Sequence, residues 1–238
     1  MISFVISLKS TPDRLHNFRA NNPHIYSEHF EAVHGIHLNE NDLINNNLIS
    51  NNCKYSKSAM GCAFSHVKLW DMCLRMNEPI TIFEDDAIIH RSFDLHLNNA
   101  IFDRGMEFIL WGWNFDAPLI INYNNFFKNT ILKWTEIDSD INAESYQKTQ
   151  INAGFTDLIC AFGTVAYTIT PNAARKLLQS TLPLRNRLST IPELKSLENV
   201  GVDISMSFDY QNIGAKVCIP PMVITPNDKK TSTVNPRS

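Results

Sequence analysis

Residues 79–86 read Pro79-Ile80-Thr81-Ile82-Phe83-Glu84-Asp85-Asp86, an apolar run that ends in three consecutive carboxylates. A short run of this kind, rich in β-branched and aromatic residues and opened by proline, reads as a buried strand. Adjacent carboxylates repel one another and resist burial, so a strand that carries them to its C-terminal tip implies a cation at that tip. Side chains alternate along a strand, which sends Glu84 and Asp86 to one side and Asp85 to the other until the chain turns. Hard oxygen ligands so placed suit Mg²⁺ or Mn²⁺, ions that bridge neighbouring phosphates of a nucleotide. The competing reading is an acidic turn after an edge strand. The apolar character of the run and its helical flanks favour the metal, because open α/β sheets bind ligands in crevices outside the C-terminal ends of their strands.

Upstream of this strand, Met60, Phe64, Val67, Trp70, Met72 and Leu74 recur at spacings of three and four, which predicts a buried helix over 58–76. Residues 4–8 read as a first strand. Thr11 and Pro12 then look like a helix cap and first helical position, giving a strand-to-helix turn of the nucleotide-binding kind. The Asn-rich stretch 39–52 is expected as loop or frayed short helix. Downstream, strands are predicted at 108–113, 157–162, 165–169 and 216–219, with an amphipathic segment at 93–102. Thr170-Pro171 opens a helix to 178, and another begins at Gly201-Val202-Asp203. Residues 114–157 carry few strong signals and are expected as loops over a cleft, where an acceptor would be chosen. Strands alternating with helices imply an α/β fold with a mostly parallel central sheet flanked by helices.

The 238 residues, 44% hydrophobic, suit one domain with a substantial core, divided at about 1–116, 117–225 and a tail at 226–238. A net charge of −3 gives no general attraction to nucleic acid. The ending from Lys229 and Lys230 to Arg237 is locally basic and reads as a solvated tail or a weak peripheral membrane contact. Five cysteines without a C-x-x-C pair fit reduced thiols, and Cys62 with His66 makes only half a zinc site. Residues 1–9 lack a basic n-region, no run approaches a membrane span, and no Asn-x-Ser/Thr acceptor occurs, so a cytoplasmic location is expected.

Several short motifs, in order, are Val5-Ile6-Ser7-Leu8-Lys9 with Pro12-Asp13-Arg14, Gly61-Cys62-Ala63-Phe64-Ser65-His66, Phe83-Glu84-Asp85-Asp86, Gly163-Thr164-Val165-Ala166-Tyr167 and Gly201-Val202-Asp203. Together, from residue 4 to about 224, they resemble glycosyltransferase family 25, the bacterial lipopolysaccharide-biosynthesis group related to the collagen galactosyltransferases. The resemblance implies a GT-A-like single domain. It also implies a UDP-sugar donor, usually UDP-galactose or UDP-glucose, and inverting transfer to a saccharide hydroxyl, here of a glycolipid such as lipooligosaccharide. By the same analogy Glu84-Asp85-Asp86 takes the place of the family's metal-binding motif, with Asp86 the leading ligand of Mn²⁺ or Mg²⁺ beside Glu84, and Asp85 serving donor binding. Where the family often has His in its Gly-Thr-His-Ala-Tyr motif, this chain has Val165. All histidines lie at or before His96, which leaves Asp203 or Asp228 as later metal ligands.

Individual residues carry two readings each. Arg14 either meets the diphosphate or uracil, or is a surface helix residue. Ser7 and Leu8 end the first strand and would offer backbone contacts to the base. Ser65 and His66 either reach ribose or phosphate, or are packed and hydrogen-bonded inside. Asp203 is a general base for the attacking hydroxyl, or a helix N-cap, or both. Thr164 lines the donor or acceptor pocket, and Trp113 and Trp134 are either core or sugar-stacking surfaces. Two rival functions fit the acidic strand end: a sugar-nucleotide nucleotidyltransferase, disfavoured because residues 8–15 contain no glycine, and a non-catalytic nucleotide-sugar or carbohydrate-binding module.

Overall fold

The computed structural model describes residues 1–103, 105–124, 126–134, 142–189 and 197–226. Strand β1 (Ile2–Ser7) turns into helix α1 (Pro12–Asn21), and β2 (Glu28–Glu31) returns beside it. A 3₁₀ turn (Gly35–His37) and α2 (Glu40–Asn45) precede α3 (Lys57–Met76), which feeds β3 (Ile80–Glu84). After the acidic turn come β4 (Ile88–Ile89), α4 (Phe93–Asn98), a π-helical turn (Asn99–Asp103) and β5 (Phe108–Gly112). The chain continues through β6 (Leu119–Asn122), β7 (Thr130–Leu132), α5 (Ala143–Lys148), β8 (Gly154–Cys160) and β9 (Ala166–Ile169). It closes with α6 (Pro171–Thr181), α7 (Val202–Ser207), β10 (Lys216–Ile219) and β11 (Val223–Ile224).

Nine strands form one sheet in the order β2-β1-β3-β9-β5-β10-β8-β6-β7, while β4 and β11 make a separate pair. The α/β architecture is the expected one, and its sheet is mixed. Strands β2, β1 and β3 run parallel, as do β5 and β10, whereas β9 lies antiparallel between β3 and β5. The halves expected at about 1–116 and 117–225 therefore interleave in one sheet. From β1 the chain moves first to β2 on one side and later to β3 on the other. The C-terminal ends of β1 and β3 thus flank a topological switch point, where such sheets open a crevice. Register pairs Ile6 with Glu84 there.

Both faces of the central strands are covered, which is why β3 reads as continuous apolar sequence rather than alternating. Phe4, Ile80, Ile82, Phe108 and Leu110 pack on the side of α3 and α6 with Ala63, Trp70 and Leu177. Val5, Phe83, Ile109 and Trp111 face the other way, against Phe18, Phe93 and Leu97 of α1 and α4. Each large apolar side chain buried this way contributes about 1.5–3 kcal/mol before entropy is counted. The polar groups in the layer are paired: Thr81 and Thr168 share a 2.8 Å hydrogen bond, and Trp111 Nε1 donates to Thr168 Oγ1 at 2.8 Å. Helix α3 is capped by Ser56, whose Oγ accepts from Ala59 N, and ends where Asn77 takes the left-handed conformation (φ 54°).

Several expectations need correction. Thr11 precedes α1 but makes no capping bond; its hydroxyl donates back to Leu8 O at 3.3 Å. Residues 114–157 are not merely loops, since β6, β7, α5 and the start of β8 fall there. The N-cap of α7 is Gly201, and Asp203 lies inside the first turn. Asp228 and the basic ending fall outside the described residues. Among the described residues no helix is long and apolar enough to cross a membrane, and all five cysteines are free thiols.

Helix α3 is held against the 33–37 segment by two glycines without side chains to intervene. A Cβ on Gly61 would meet Val33 O at 2.5 Å and Gly35 N at 2.7 Å, both backbone atoms. Alanine normally stabilises a helix interior by up to about 1 kcal/mol over glycine. Here overpacking reverses the sign, at about 1–3 kcal/mol. Gly61→Ala is expected to lower Tm by about 3–8 °C in a thermal melt; an unchanged or raised Tm would contradict this close approach.

Candidate functional site

A cavity of about 400 Å³ opens at the switch point. The end of β1 and the following turn supply Ser7, Leu8 and Arg14, and the end of β3 supplies Glu84 and Asp85. One face of α3 supplies Ser58, Cys62, Ser65 and His66, at the spacing of helical turns. The opposite wall, from Val33 to Ile36, follows β2 and was not legible as a site, because the four residues Glu-His-Phe-Glu of β2 form an exposed edge strand without apolar alternation.

Asp85 is engaged within the protein. Its Oδ2 accepts from Ser7 Oγ at 2.7 Å and its Oδ1 from Arg14 Nε at 2.7 Å, with Arg14 Nη2 against the same oxygen. Arg14 is thereby pinned at the cavity wall rather than free on a helix surface, and its Nη2 also lies 4.0 Å from Asp86 Oδ2. Burial alone would lower the Arg14 pKa, but its partners Asp85, Asp86 and Glu84 raise it. Asp85 positions Arg14 and itself lines the cavity.

Glu84 and Asp86 are less fully neutralised. Burial raises the Glu84 pKa to about 8, Asp86 adds repulsion, and the Thr164 hydroxyl partly offsets both. Asp86 is also raised, chiefly by burial, against the lowering effects of Arg14 and Thr225. Its Oδ1 is buried with no hydrogen-bond partner. An orphaned carboxylate oxygen beside a second poorly compensated carboxylate fits a divalent cation. Among the described residues no third His, Cys, Asp or Glu completes a ligand group, so remaining coordination positions fall to substrate or water.

A chain of hydrogen bonds runs behind Glu84. Trp70 Nε1 donates to Tyr167 Oη at 2.8 Å, Tyr167 Oη meets His66 Nδ1 at 2.8 Å, and His66 Nε2 meets Thr164 Oγ1 at 3.3 Å. Thr164 Oγ1 then donates to Glu84 Oε1 at 2.5 Å. Tryptophan is a donor only, so with Glu84 ionised every hydrogen in the series points towards the carboxylate. Burial lowers the His66 pKa to about 3, which keeps the ring neutral as this requires. Both ring nitrogens of His66 are used, and Ser65 Oγ donates to Gly61 O and accepts from Val33 N. These two residues line the cavity and hold neighbours; the side-chain nitrogens of His66 are both engaged, while Ser65 Oγ keeps one acceptor position. Likewise Ser7 O already accepts from Ala32 N, and Leu8 O from Thr11 N.

Asp203 meets the backbone next to Thr164. Its Oδ2 accepts from Gly163 N and its Oδ1 from Ile204 N, both at 2.9 Å, which ties α7 to the Gly163-Thr164 turn. Burial raises its pKa against these bonds, and its charge reaches Glu84. Its own backbone N–H is a third partner, so one lone-pair position remains on the carboxylate. Val165 is core, and its carbonyl accepts from Glu84 N at 2.9 Å. Trp113 is fully buried, while Trp134 is partly exposed; the two pack with Phe115 outside the cavity wall. Sequence reading missed Tyr167 and Trp70 as site supports, because only the β3–β9 pairing brings Tyr167 beside Ile82.

The model of glycosyltransferase family 25 (LPS biosynthesis protein) matches residues 1–192. The lipooligosaccharide biosynthesis protein lex-1 of Haemophilus influenzae (strain ATCC 51907 / DSM 11121 / KW20 / Rd) is 25% identical over 167 residues, 69% of this chain and 49% of that protein. The chain thus spans about half the length of that curated relative. Among solved structures, A197 from STIV aligns with a TM-score of 0.41 at 14% identity, covering 91% of this chain and 81% of that one. A putative glucose-1-phosphate thymidylyltransferase from Bacillus anthracis, in complex with a sucrose, gives 0.38 at 10% identity, covering 90% and 65%. The family match takes in the whole cavity wall and both poorly compensated carboxylates, and on it the chain belongs to glycosyltransferase family 25.

Proposed function

We propose that the chain transfers a hexose, most readily galactose, from a UDP-sugar to a saccharide hydroxyl of a bacterial surface glycan such as lipooligosaccharide, with inversion and with Mn²⁺ or Mg²⁺. The observation that carries this reading is the unequal treatment of three adjacent carboxylates at the end of β3, two of which, Glu84 and Asp85, line the cavity. Asp85 is neutralised by Arg14 and Ser7, while burial disfavours the charged forms of Glu84 and Asp86 and leaves Asp86 Oδ1 without a partner. Family membership supports the transferase class, and the name of the lex-1 relative supports a lipooligosaccharide acceptor.

In this reading the cavity takes the nucleotide, with the diphosphate turned towards Arg14 and the first turn of α3. Glu84 and Asp86 would hold the divalent ion, which when bound supplies positive charge opposite the departing diphosphate. Arg14, oriented by Asp85, adds a fixed donor to the same oxygens. Asp203 accepts the proton of the acceptor hydroxyl through a remaining lone pair as that oxygen attacks the anomeric carbon and UDP leaves. The Trp70-Tyr167-His66-Thr164 series fixes the Glu84 carboxylate, as hydrogen-bonded outer partners fix ligating groups generally.

Three outcomes are expected. Asp86→Asn is expected to lower turnover of UDP-galactose, measured as UDP release, by about 10²-fold or more; near-normal release would remove Asp86 from the site. Asp203→Asn sets an amide N–H against one backbone N–H, so a small Tm loss from about 1–2 kcal/mol accompanies it. UDP affinity is expected to survive while turnover falls by about 10²-fold or more, and intact turnover would retire Asp203 as the base. Thr164→Val is expected to weaken Mn²⁺ binding by about tenfold with metal-free UDP affinity unchanged, and Thr164→Ser to restore it. Equal Mn²⁺ affinity in all three forms would show that the relay does not serve the carboxylate.

A further inference from the structure

Strands β3 and β5 end at the same edge of the sheet. Each lies antiparallel to β9, whose Ala166 pairs with Phe83 on one side and Gly112 on the other. Only the start of β9 separates the two strand ends. Neighbouring strands are spaced by about 5 Å, so the chain leaving β5 at Trp113 and Asn114 emerges about 10 Å from Glu84 and Asp85.

Asn114 lies over the Gly163-Thr164 turn that opens β9. Its backbone is committed, since N donates to Phe162 O at 2.8 Å and O accepts from Ala117 N at 3.2 Å. Its side-chain amide rests against Gly163. A Cβ on that glycine would meet Asn114 Oδ1 at 2.4 Å, Cγ at 2.5 Å and Nδ2 at 2.9 Å, and the glycine has φ +81°, so space and backbone both keep the position free of a side chain. Among the described residues no hydrogen bond engages either polar atom of the amide. The residue is half-buried, so these atoms face the site rather than bulk solvent on all sides.

The same turn holds the two carboxylates that have opposite tasks in the proposed reaction. Gly163 N donates to Asp203 Oδ2 at 2.9 Å, and Thr164 Oγ1 donates to Glu84 Oε1 at 2.5 Å. Inverting transfer sets the anomeric carbon between the departing diphosphate, on the Glu84 side, and the hydroxyl that Asp203 deprotonates. The transferred sugar then lies across the turn on which Asn114 rests. An amide presents two N–H donors and a carbonyl acceptor in one plane, which complements hydroxyl groups that both donate and accept. We propose that Asn114 binds the hexose of the donor, its side-chain amide exchanging hydrogen bonds with ring hydroxyls. This assignment rests on the transferase reading and adds to it the residue that grips the sugar separately from the UDP.

The test is isothermal titration of the full chain in Mn²⁺, first with UDP and then with whichever of UDP-galactose and UDP-glucose the wild type binds more tightly. Asn114→Ala removes the amide. Asn114→Leu keeps its approximate size against Gly163 and removes only the polar atoms. Both variants are expected to bind the sugar nucleotide more weakly by about tenfold, with UDP affinity and Tm unchanged, because UDP carries no sugar for the amide to meet. Unchanged affinity for the sugar nucleotide in both variants overturns the inference and leaves the transferase reading standing. Equal losses for UDP and the sugar nucleotide overturn it in favour of Asn114 as a support of the Gly163-Thr164 turn. A wild type that binds neither sugar nucleotide overturns the inference and the transferase reading together.

Discussion

The bond between Asp85 and Arg14 decides how the rest of the site is charged. Three carboxylates cannot share the end of a buried strand without compensation. Arg14 and Ser7 draw one of them back towards β1, which holds the guanidinium against the cavity wall and joins the ends of β1 and β3. The other two are raised in pKa by burial, and Asp86 Oδ1 stays without a partner. A single ion pair therefore does three things: it closes the switch point, orients the cation that would meet a diphosphate, and leaves room for another.

The sheet supplies what this arrangement requires from a distance. Because β9 inserts between β3 and β5, Tyr167 and Thr164 stand beside β3 although they lie about eighty residues further along the chain. His66 comes from α3 on the same side, kept neutral by burial, and connects them. Removing the Tyr167 hydroxyl would leave both Trp70 Nε1 and His66 Nδ1 without partners in the core, each at about 1–3 kcal/mol. Stability and carboxylate placement are thus coupled through the same hydroxyl.

Much of this was readable from residues alone. The apolar run 79–83 identifies β3 and its acidic tip, and the three-four spacing over 58–76 identifies α3, because both elements are buried enough for periodicity to survive. Ser7, Leu8, Arg14, Ser65, His66, Glu84 and Asp85 do meet in one cavity. What the residues could not disclose is who already holds whom. That Arg14 grips Asp85 closely while Asp86 Oδ1 stays without a partner, or that both ring nitrogens of His66 are engaged, depends on strand pairings many residues apart. Strands β6 and β7 escaped notice for another reason: their run is short, Asn-rich and shifted in register against β8, so no clean alternation marks it.

The central claim is that a divalent cation joins the nucleotide to Glu84 and Asp86. Isothermal titration of the wild-type chain with UDP, in Mn²⁺ and again in EDTA, addresses it directly. Affinity higher in Mn²⁺ by about tenfold or more is the expected result, with protons released as Glu84 ionises from its raised pKa. Equal UDP affinity in the two buffers would contradict the claim.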